Sequence, residues 1–545
     1  MRLEDHLDPS LGSYRTHPDI QHGLSEPASP LGGASDFRPQ TRSSADSASG
    51  TSAPAGRDAV LSIGEDWLDH YAHTYFRHVQ PQWLFVDEEA WRKSFATWKR
   101  TPREAMPSHK FLMQLLLAVG ALVSSSFRAD CPHLLHASKM YEDAIQSHVG
   151  QVTGNPSPLL RTQASLLMLL YALHGPSVDP ISDSVLLVLM NSANLVNEVQ
   201  HTPSQEDLCQ DFEQTRMLTL MSSHVLNELV ASAWNCPQTF MFDVLDETIY
   251  KYATEVPPAK SETGFHGHLF QLRCIQSRIR HFNKKLQKLD AADPFRETCR
   301  LRLKDELSTW KQRIEPLTNS SPNDDLVYHE PGSLSKLYDY SLSILMQERP
   351  CMTGAEEVGY LVECCSEACR TFQSYQENNS VIYRTWTALM YQFRLGIMLL
   401  YCYAMTPPLF RTASSTSPET ISGLDSCRIT LERFSTRWPR ALVFLQSYQL
   451  LAEAVFEGPA FGQACSSSMM ESSSPQSLCS SYALEGERKL RMQRYMTELR
   501  MQHVHQAVMN LMEEIVNRPS QASLNYEWLD LLPNMSMAGL DLFNF

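Results

Sequence analysis

Pairs of histidines and cysteines at helical spacing are the residues of this sequence that come nearest to a metal site. His133 and His136 are three positions apart, and Cys365 and Cys369 are four apart, so each pair lies on one face of a helix. Either pair could supply two ligands to one ion. A structural zinc site needs four ligands, however, and neither pair has a second half at ligand spacing nearby.

Other polar groups give weaker signals for a site. His266 and His268, like His503 and His505, are two positions apart, and on a helix such pairs point away from each other. The acidic run at 323–325 lies in a Pro/Asn/Ser stretch without a partner motif, which is typical of a solvated loop or a helix cap rather than a magnesium site. We interpret the histidines as ordinary surface residues and the cysteines as buried thiols.

No motif for cofactor or nucleophile chemistry is present. The sequence has neither a Gly-rich phosphate loop nor a Gly-x-Ser-x-Gly elbow, and its 22 glycines argue against a Rossmann or P-loop enzyme. We therefore predict no catalytic, cofactor-binding or metal-ligating residue, and we expect that the chain is not an enzyme.

Charge and cysteine usage restrict the partners and the compartment. The 545 residues carry a formal charge of −15, and an acidic surface repels phosphate, so the bulk of the chain is not a nucleic-acid-binding surface. Thirteen cysteines without framework spacing, together with a polar N-terminus, favour a reducing compartment. The longest apolar run, 111–123, is too short to span a bilayer, so we expect no membrane association.

One basic stretch is the candidate DNA contact. Arg273, Arg280, Lys284 and Lys285 lie within a segment that also carries an apolar stripe at 272, 275, 279, 282 and 286. The stripe favours a helical hairpin with a solvated basic face as the alternative to a DNA-binding surface.

The last residues combine aromatic and leucine side chains with acidic neighbours and, beyond Pro519, contain no Lys or Arg. Such a composition is typical of an activation segment that folds as a short helix into a coactivator groove. The alternative is a terminal segment that docks on its own core. The residues of the candidate activation tail are Tyr526, Trp528, Leu529, Leu532, Leu542 and Phe543.

Helical periodicity accounts for the rest of the chain, and no alternating pattern with hairpin turns predicts a strand. We predict an all-α fold, with Asp87 as an N-cap and Pro81 ending the first helix. After that first helix, which begins near Asp66, the predicted helices are 88–95, 111–125, 132–149, 159–173, 184–199, 212–233, 268–289, 295–314, 334–347, 355–375, 382–405, 427–434, 439–456 and 488–518.

Composition divides the chain into five segments. Residues 1–60 are rich in Ser, Pro and Gly and are predicted to be disordered, because they cannot bury enough apolar surface to offset chain entropy. The large helical domain covers 61–460. A Ser-rich linker at 461–486, a charged helix at 487–518 and an acidic–hydrophobic tail at 519–545 follow it.

Ordered landmarks recur along this helical domain. They include residues 75–87 (Tyr-Phe-Arg-His-Val-Gln-Pro-Gln-Trp-Leu-Phe-Val-Asp) and the segments 115–122, 141–144 and 163–169. In this order they resemble the opening and the next helices of the regulatory domain of fungal binuclear zinc-cluster transcription factors. Arg216 and Pro237 occupy the ends of the family's signature stretch, where Cys236 replaces the usual Arg and leucines replace an aromatic pair.

Later segments match more closely. Residues 345–350 resemble the "Leu…Arg-Pro" segment of the family, 393–402 its "Phe…Gly…Leu-Leu-Tyr-Cys" helix and 437–441 its "Trp-Pro-x-Ala" helix start. The resemblance extends over 66–456 in the right order. It implies a large all-α regulatory domain, action in the nucleus and control of a metabolic or secondary-metabolite pathway.

The zinc cluster of that family is not found in this sequence. The cluster needs six cysteines with interleaved Lys and Arg, whereas the first cysteine here is Cys131 and the first 60 residues hold no lysine. We therefore expect no direct DNA binding through a zinc cluster. Residues 1–60 resemble the linker that follows the cluster, so a truncated zinc-cluster activator is an alternative.

The resulting hypothesis is a nuclear co-regulator without its own DNA-reading module. It would act with a DNA-binding transcription factor or as a dimer with a homologous regulator, contact coactivator machinery, and respond to a small-molecule effector. A decoy repressor and a helical enzyme are the remaining alternatives.

Overall fold

The computed structural model describes residues 59–126, 132–201, 210–234, 262–286, 293–318, 341, 355–377, 384–405, 418–455 and 477–517. Within these ranges the chain forms 15 α-helices and no strand, which confirms the all-α prediction. The helices are α1 (Glu65–His78), α2 (Glu88–Arg100), α3 (Pro107–Ser124), α4 (His133–Thr153), α5 (Pro158–His174), α6 (Pro180–His201), α7 (Gln210–Ala233), α8 (Glu262–Leu286), α9 (Pro294–Thr318), α10 (Ala355–Glu377), α11 (Trp386–Met405), α12 (Pro418–Arg437), α13 (Leu442–Val455), α14 (Ser477–Met501) and α15 (Gln506–Asn517).

Local sequence fixes several helix starts. Asp87 is the N-cap of α2, and its Oδ1 accepts a hydrogen bond from the backbone N–H of Ala90 at 2.9 Å, as the sequence predicts. Proline occupies the first position of α3 and of α5, where its missing N–H leaves no hydrogen bond unmade.

Helix α3 is the centre of the N-terminal half and contacts α1, α4 and α5. Its residues are apolar almost all round, the pattern of a fully buried helix. Gly120 allows α1 to approach closely, because a Cβ at this position would lie 2.1 Å from the carbonyl oxygen of Tyr71. A side chain here would push the two helices apart.

Helix α11 has the same role in the C-terminal half. It contacts α5, α7, α10, α12, α13 and α15 and is apolar nearly throughout. Trp386 at its start stacks on Trp438 with ring centroids 4.5 Å apart. Gly396 leaves room for neighbouring helices, since a Cβ there would lie 2.3 Å from Cys427 Sγ and 2.8 Å from the Tyr448 ring.

The charged C-terminal segment forms two helices rather than the single helix predicted for 487–518. The chain turns between α14 and α15, where His503 has a φ of 57° and Val504 makes an isolated bridge to Trp234. Met496 and Met512 are buried against the core, and Tyr401 donates a hydrogen bond to Glu514 at 2.6 Å. Side chains of α11 and α13 therefore cover the apolar face of this segment, a packing that the local sequence does not specify.

Some predicted boundaries shift, and some predictions fall outside the described residues. Helix α14 begins at Ser477, so the end of the predicted linker 461–486 is helical. The segment 1–60 apart from its last two residues, the acidic run 323–325, most of the helix 334–347 and the tail 519–545 lie outside the described residues. None of the described helices is both long and apolar enough to cross a membrane.

Candidate functional site

A buried polar cluster lies where α7, α8 and α11 meet. On α7, His224, Glu228 and Ser232 recur every four residues, so their side chains share one helix face. That face packs against α8 and α11, and all three residues are buried. The sequence positions polar groups here by the same periodicity that positions core residues elsewhere.

Helices α8 and α11 supply the opposing groups at matching spacing. Arg273, Gln276 and Arg280 are three and four positions apart on α8, and Tyr391 and Arg394 are three apart on α11. Of these five residues, all except Arg280 are less than a tenth exposed. Three guanidinium groups and one carboxylate are thus brought into a region with little access to water.

Glu228 and Arg280 form a two-point ion pair. Arg280 Nε donates to one carboxylate oxygen at 3.1 Å, and its Nη2 donates to the other at 2.8 Å. The Glu228 side chain is 1% exposed and that of Arg280 is 15% exposed. Parallel geometry of this kind is the strongest arrangement of an arginine and a carboxylate, and it compensates both charges.

Arg273 is buried without a carboxylate partner among the described residues. It is 2% exposed, and its Nη1 donates to the Gln276 side-chain oxygen and, at 3.5 Å, to the Tyr391 hydroxyl. Both acceptors are neutral, and its Nε has no hydrogen-bond partner. Burying an uncompensated ion costs on the order of several kcal/mol, so this arginine is a site of stored unfavourable energy.

Tyr391 links the cluster to α7. Its hydroxyl donates to the Leu229 carbonyl at 2.9 Å and lies 2.9 Å from Ser232 Oγ. Burial raises the pKa of this phenol, so Tyr391 stays neutral and acts here as a hydrogen-bonding group. Gln276 in turn donates to Ser341 at 2.5 Å, which fixes the other acceptor of Arg273.

Two histidines of the cluster are held neutral. Burial, reinforced by Arg280 and Arg273, lowers the pKa of His224 to about 3. Burial and the charges of Arg394 and Arg280 lower the pKa of His505 to about 3 as well. His505 Nδ1 accepts the Ala507 N–H at 3.1 Å, which leaves the ring proton on Nε2. Neither ring is therefore a base near neutral pH, and the cluster is suited to binding charge rather than to proton transfer.

The candidate basic face does not form as a solvated surface at its arginines. Arg273 is buried and Arg280 is paired with Glu228, because the apolar stripe of α8 turns these two positions toward α7 and α11. The side chains of Lys284 and Lys285 lie outside the described residues. Arg278, on the exposed side of α8, pairs with Glu306 of α9 at 2.7 Å.

The candidate histidine pair lies against Tyr71. The Tyr71 hydroxyl is 3.1 Å from His133 Nδ1 and 2.7 Å from His136 Nδ1. Because a hydroxyl has one proton, it donates to one ring and accepts from the other. Among the described residues, no group of three or more His, Cys, Asp or Glu could hold a metal ion.

The prediction that the histidines are ordinary surface residues is wrong at several positions. His133, His266 and His268 are less than a tenth exposed, because helix packing covers them. The prediction of buried thiols is confirmed at Cys365 and Cys369, which are free and buried.

Glu228, Tyr391, Arg394 and His505 belong to the cluster, although the sequence analysis assigned none of them to a site. A usable signal exists for two of them. Glu228 and Arg394 are isolated charges within apolar stretches of α7 and α11, and such charges are buried only when they are paired.

Comparisons with known proteins do not place this chain in a family. No protein-family model matches it, and no curated protein matches it at a significant level. The resemblance to fungal regulators therefore stays a prediction.

Proposed function

We propose that this protein is a nuclear transcriptional regulator or co-regulator of a fungal metabolic gene set of the secondary-metabolite kind, acting through a DNA-binding partner. The observation that carries the proposal is that the landmarks of the resemblance supply contacts between helices of one all-α body.

Three landmarks illustrate this point. In residues 75–87, Tyr75 and Phe85 are buried and Asp87 caps α2. Gly120, in the segment 115–122, allows the close approach of α1. Gly396, in the segment 393–402, allows the close approach of α12 and α13. Trp438, from the "Trp-Pro-x-Ala" segment, stacks on Trp386. All of these landmarks are packing or capping positions of the described helices.

The charge distribution supports action through a partner. The first cysteine, Cys131, follows α3, and the chain as a whole is acidic. On the α8–α9 hairpin, Arg278 and Arg302 both pair with Glu306. These ion pairs lower the positive charge that the hairpin presents to phosphate. A DNA-binding transcription factor or a homologous regulator would supply base recognition.

The tail 519–545 is the proposed contact with coactivator machinery. Tyr526, Trp528, Leu529, Leu532, Leu542 and Phe543 would provide the apolar anchors of an induced helix, and its acidic residues would keep these anchors in water before binding.

Transcript profiling tests the proposal. A strain that lacks the gene is complemented with the full chain or with a chain that ends at Arg518. We expect deletion to lower one coherent set of metabolic genes, and we expect the full chain, but not the shortened one, to restore them.

Each other outcome points to a different function. A gene set that rises on deletion and is repressed again by both chains would favour a decoy repressor. A gene set that falls on deletion and is restored by both chains would favour a tail that docks on its own core. If deletion changes no coherent gene set, the regulatory proposal fails and a helical enzyme or a scaffold becomes the better explanation.

A further inference from the structure

We infer that the buried guanidinium group of Arg273 is the binding site for a small organic carboxylate. The inference names the chemical class of the effector, and only its regulatory consequence rests on the proposed function. Binding itself is a property of the folded body and is tested with purified protein.

The orientation of the guanidinium identifies the binding edge. Arg273 Nη1 is occupied by Gln276 and Tyr391, on one side of the group. Neither Nε nor Nη2 has a hydrogen-bond partner among the described residues. This Nε–Nη2 edge is the one on which an arginine holds a carboxylate through two parallel hydrogen bonds.

Arg280 shows how the same edge of a guanidinium binds a carboxylate in this protein. Arg280, seven residues along the same helix, uses its Nε and Nη2 to bind the two oxygens of Glu228. No carboxylate of a described residue lies within 4.0 Å of Arg273. A ligand carboxylate would thus make the contact for Arg273 that Glu228 makes for Arg280.

The polar support of Arg273 indicates that its position is specified. Gln276 is anchored by Ser341, and Tyr391 is anchored by the Leu229 carbonyl. Both supports are buried, so the guanidinium is held in one orientation before any ligand arrives. Preorganisation of this kind lowers the entropic cost of binding.

The charge of the site favours a monoanion. The open Nε–Nη2 edge of Arg273 matches one planar carboxylate, whereas a phosphate dianion brings a second charge that this edge does not hydrogen-bond. The neighbouring histidines add no positive charge near neutral pH, because both rings are neutral. We therefore expect a monocarboxylate to bind more tightly than inorganic phosphate.

Calorimetric titration of the purified full chain is the test. The probes are benzoate, acetate and inorganic phosphate, each at constant ionic strength with chloride as the reference anion. We expect saturable 1:1 binding of benzoate with a Kd on the order of 1 mM and at least tenfold weaker binding of phosphate. Absence of saturable binding by both carboxylates would overturn the inference.

Two arginine substitutions on the same helix separate the site from a general charge effect. Arg273→Met removes the edge, and we expect it to raise the Kd for benzoate about ten- to a hundredfold. Arg278→Met removes an equal charge from the exposed side of α8, where Arg278 pairs with Glu306, and we expect it to leave the Kd unchanged. Equal weakening by both substitutions would contradict the inference.

Arg273→Lys covers the case in which the methionine variant does not fold. Lysine retains the charge but cannot form two parallel hydrogen bonds, so weaker benzoate binding is expected. An unchanged Kd would show that the arginine edge is not the site. Since titration and transcript profiling are separate measurements, failure of the carboxylate site and failure of the regulatory proposal are distinguishable.

Discussion

Glu228 of α7 and Arg280 of α8 are joined by two hydrogen bonds, of 3.1 Å and 2.8 Å, in a setting where the carboxylate side chain is 1% exposed. This contact ties α7 to α8, together with the contacts of Ser222 with His266 and of His224 with Cys274. It also leaves the buried Arg273 without a carboxylate partner among the described residues.

Removal of one partner of the Glu228–Arg280 pair should be costly. Arg280→Met strands a buried carboxylate, and we expect the free energy of unfolding to fall by about 3–5 kcal/mol. The double variant Glu228→Leu/Arg280→Met removes both charges and should recover most of that loss. Urea unfolding at neutral pH measures the free energy of unfolding of both variants.

Arg278→Met is the matched control, with an expected change within about 1 kcal/mol because its ion pair is exposed. A double variant as unstable as the single one would contradict the pairing argument.

Gly396 should not tolerate a side chain. The Cβ of Gly396→Ala would lie 2.3 Å from Cys427 Sγ, so we expect a loss of about 1–3 kcal/mol in unfolding free energy. Gly150 on α4 is the control, because nothing lies within 4 Å of a Cβ there. Gly150→Ala should be neutral or stabilise the helix by up to about 1 kcal/mol. Thermal unfolding compares the two, and equal Tm values would count against the close approach at α11.

Acid should destabilise the fold through its buried histidines. The pKa values of His174, His224 and His505 are lowered to about 3, chiefly by burial, from 6.5. Between about pH 3 and 6.5 the unfolded chain binds the extra protons, so stability is complete above pH 6.5 and falls as the pH drops. Over this range, each of these histidines lowers the free energy of unfolding by up to about 1.4 kcal/mol for each pH unit that the pH falls. Urea midpoints from pH 7 to 5 test this, and His224→Gln should flatten the slope. An unchanged slope would mean that His224 protonates equally in both states.

The buried thiols should resist modification in the native state. Cys369 and Cys427 are fully buried, and burial, together with the adjacent Cys427, raises the pKa of Cys369 well above 9. Cys299 is half-buried. We expect an alkylating reagent to label Cys299 well before Cys369 or Cys427, as followed by peptide mass spectrometry. In urea we expect the three thiols to be labelled at equal rates. Early labelling of Cys369 in native protein would show that α10 and α12 separate readily.

The sequence was sufficient for the helices because their causes are local. Asp87 starts α2 by capping it, and long stretches rich in apolar residues mark the buried helices α3, α5 and α11. The break at His503 was missed, because methionines and charged residues continue a helical pattern through it and the turn depends on packing against α11 and α13.

The site could not be predicted because the sequence does not show whether a charged side chain faces solvent or the core. Arg273 and Arg280 have the composition of a solvated basic face, and only the packing of α7 and α11 against α8 turns them inward. The sequence by itself determined that the chain is all-α, that the whole chain is acidic, and where most helices begin, since these follow from residue type and short-range spacing. Tertiary structure alone decided which arginine meets a carboxylate and which does not, because Glu228 and Arg280 are 52 residues apart and come together only when the helices pack.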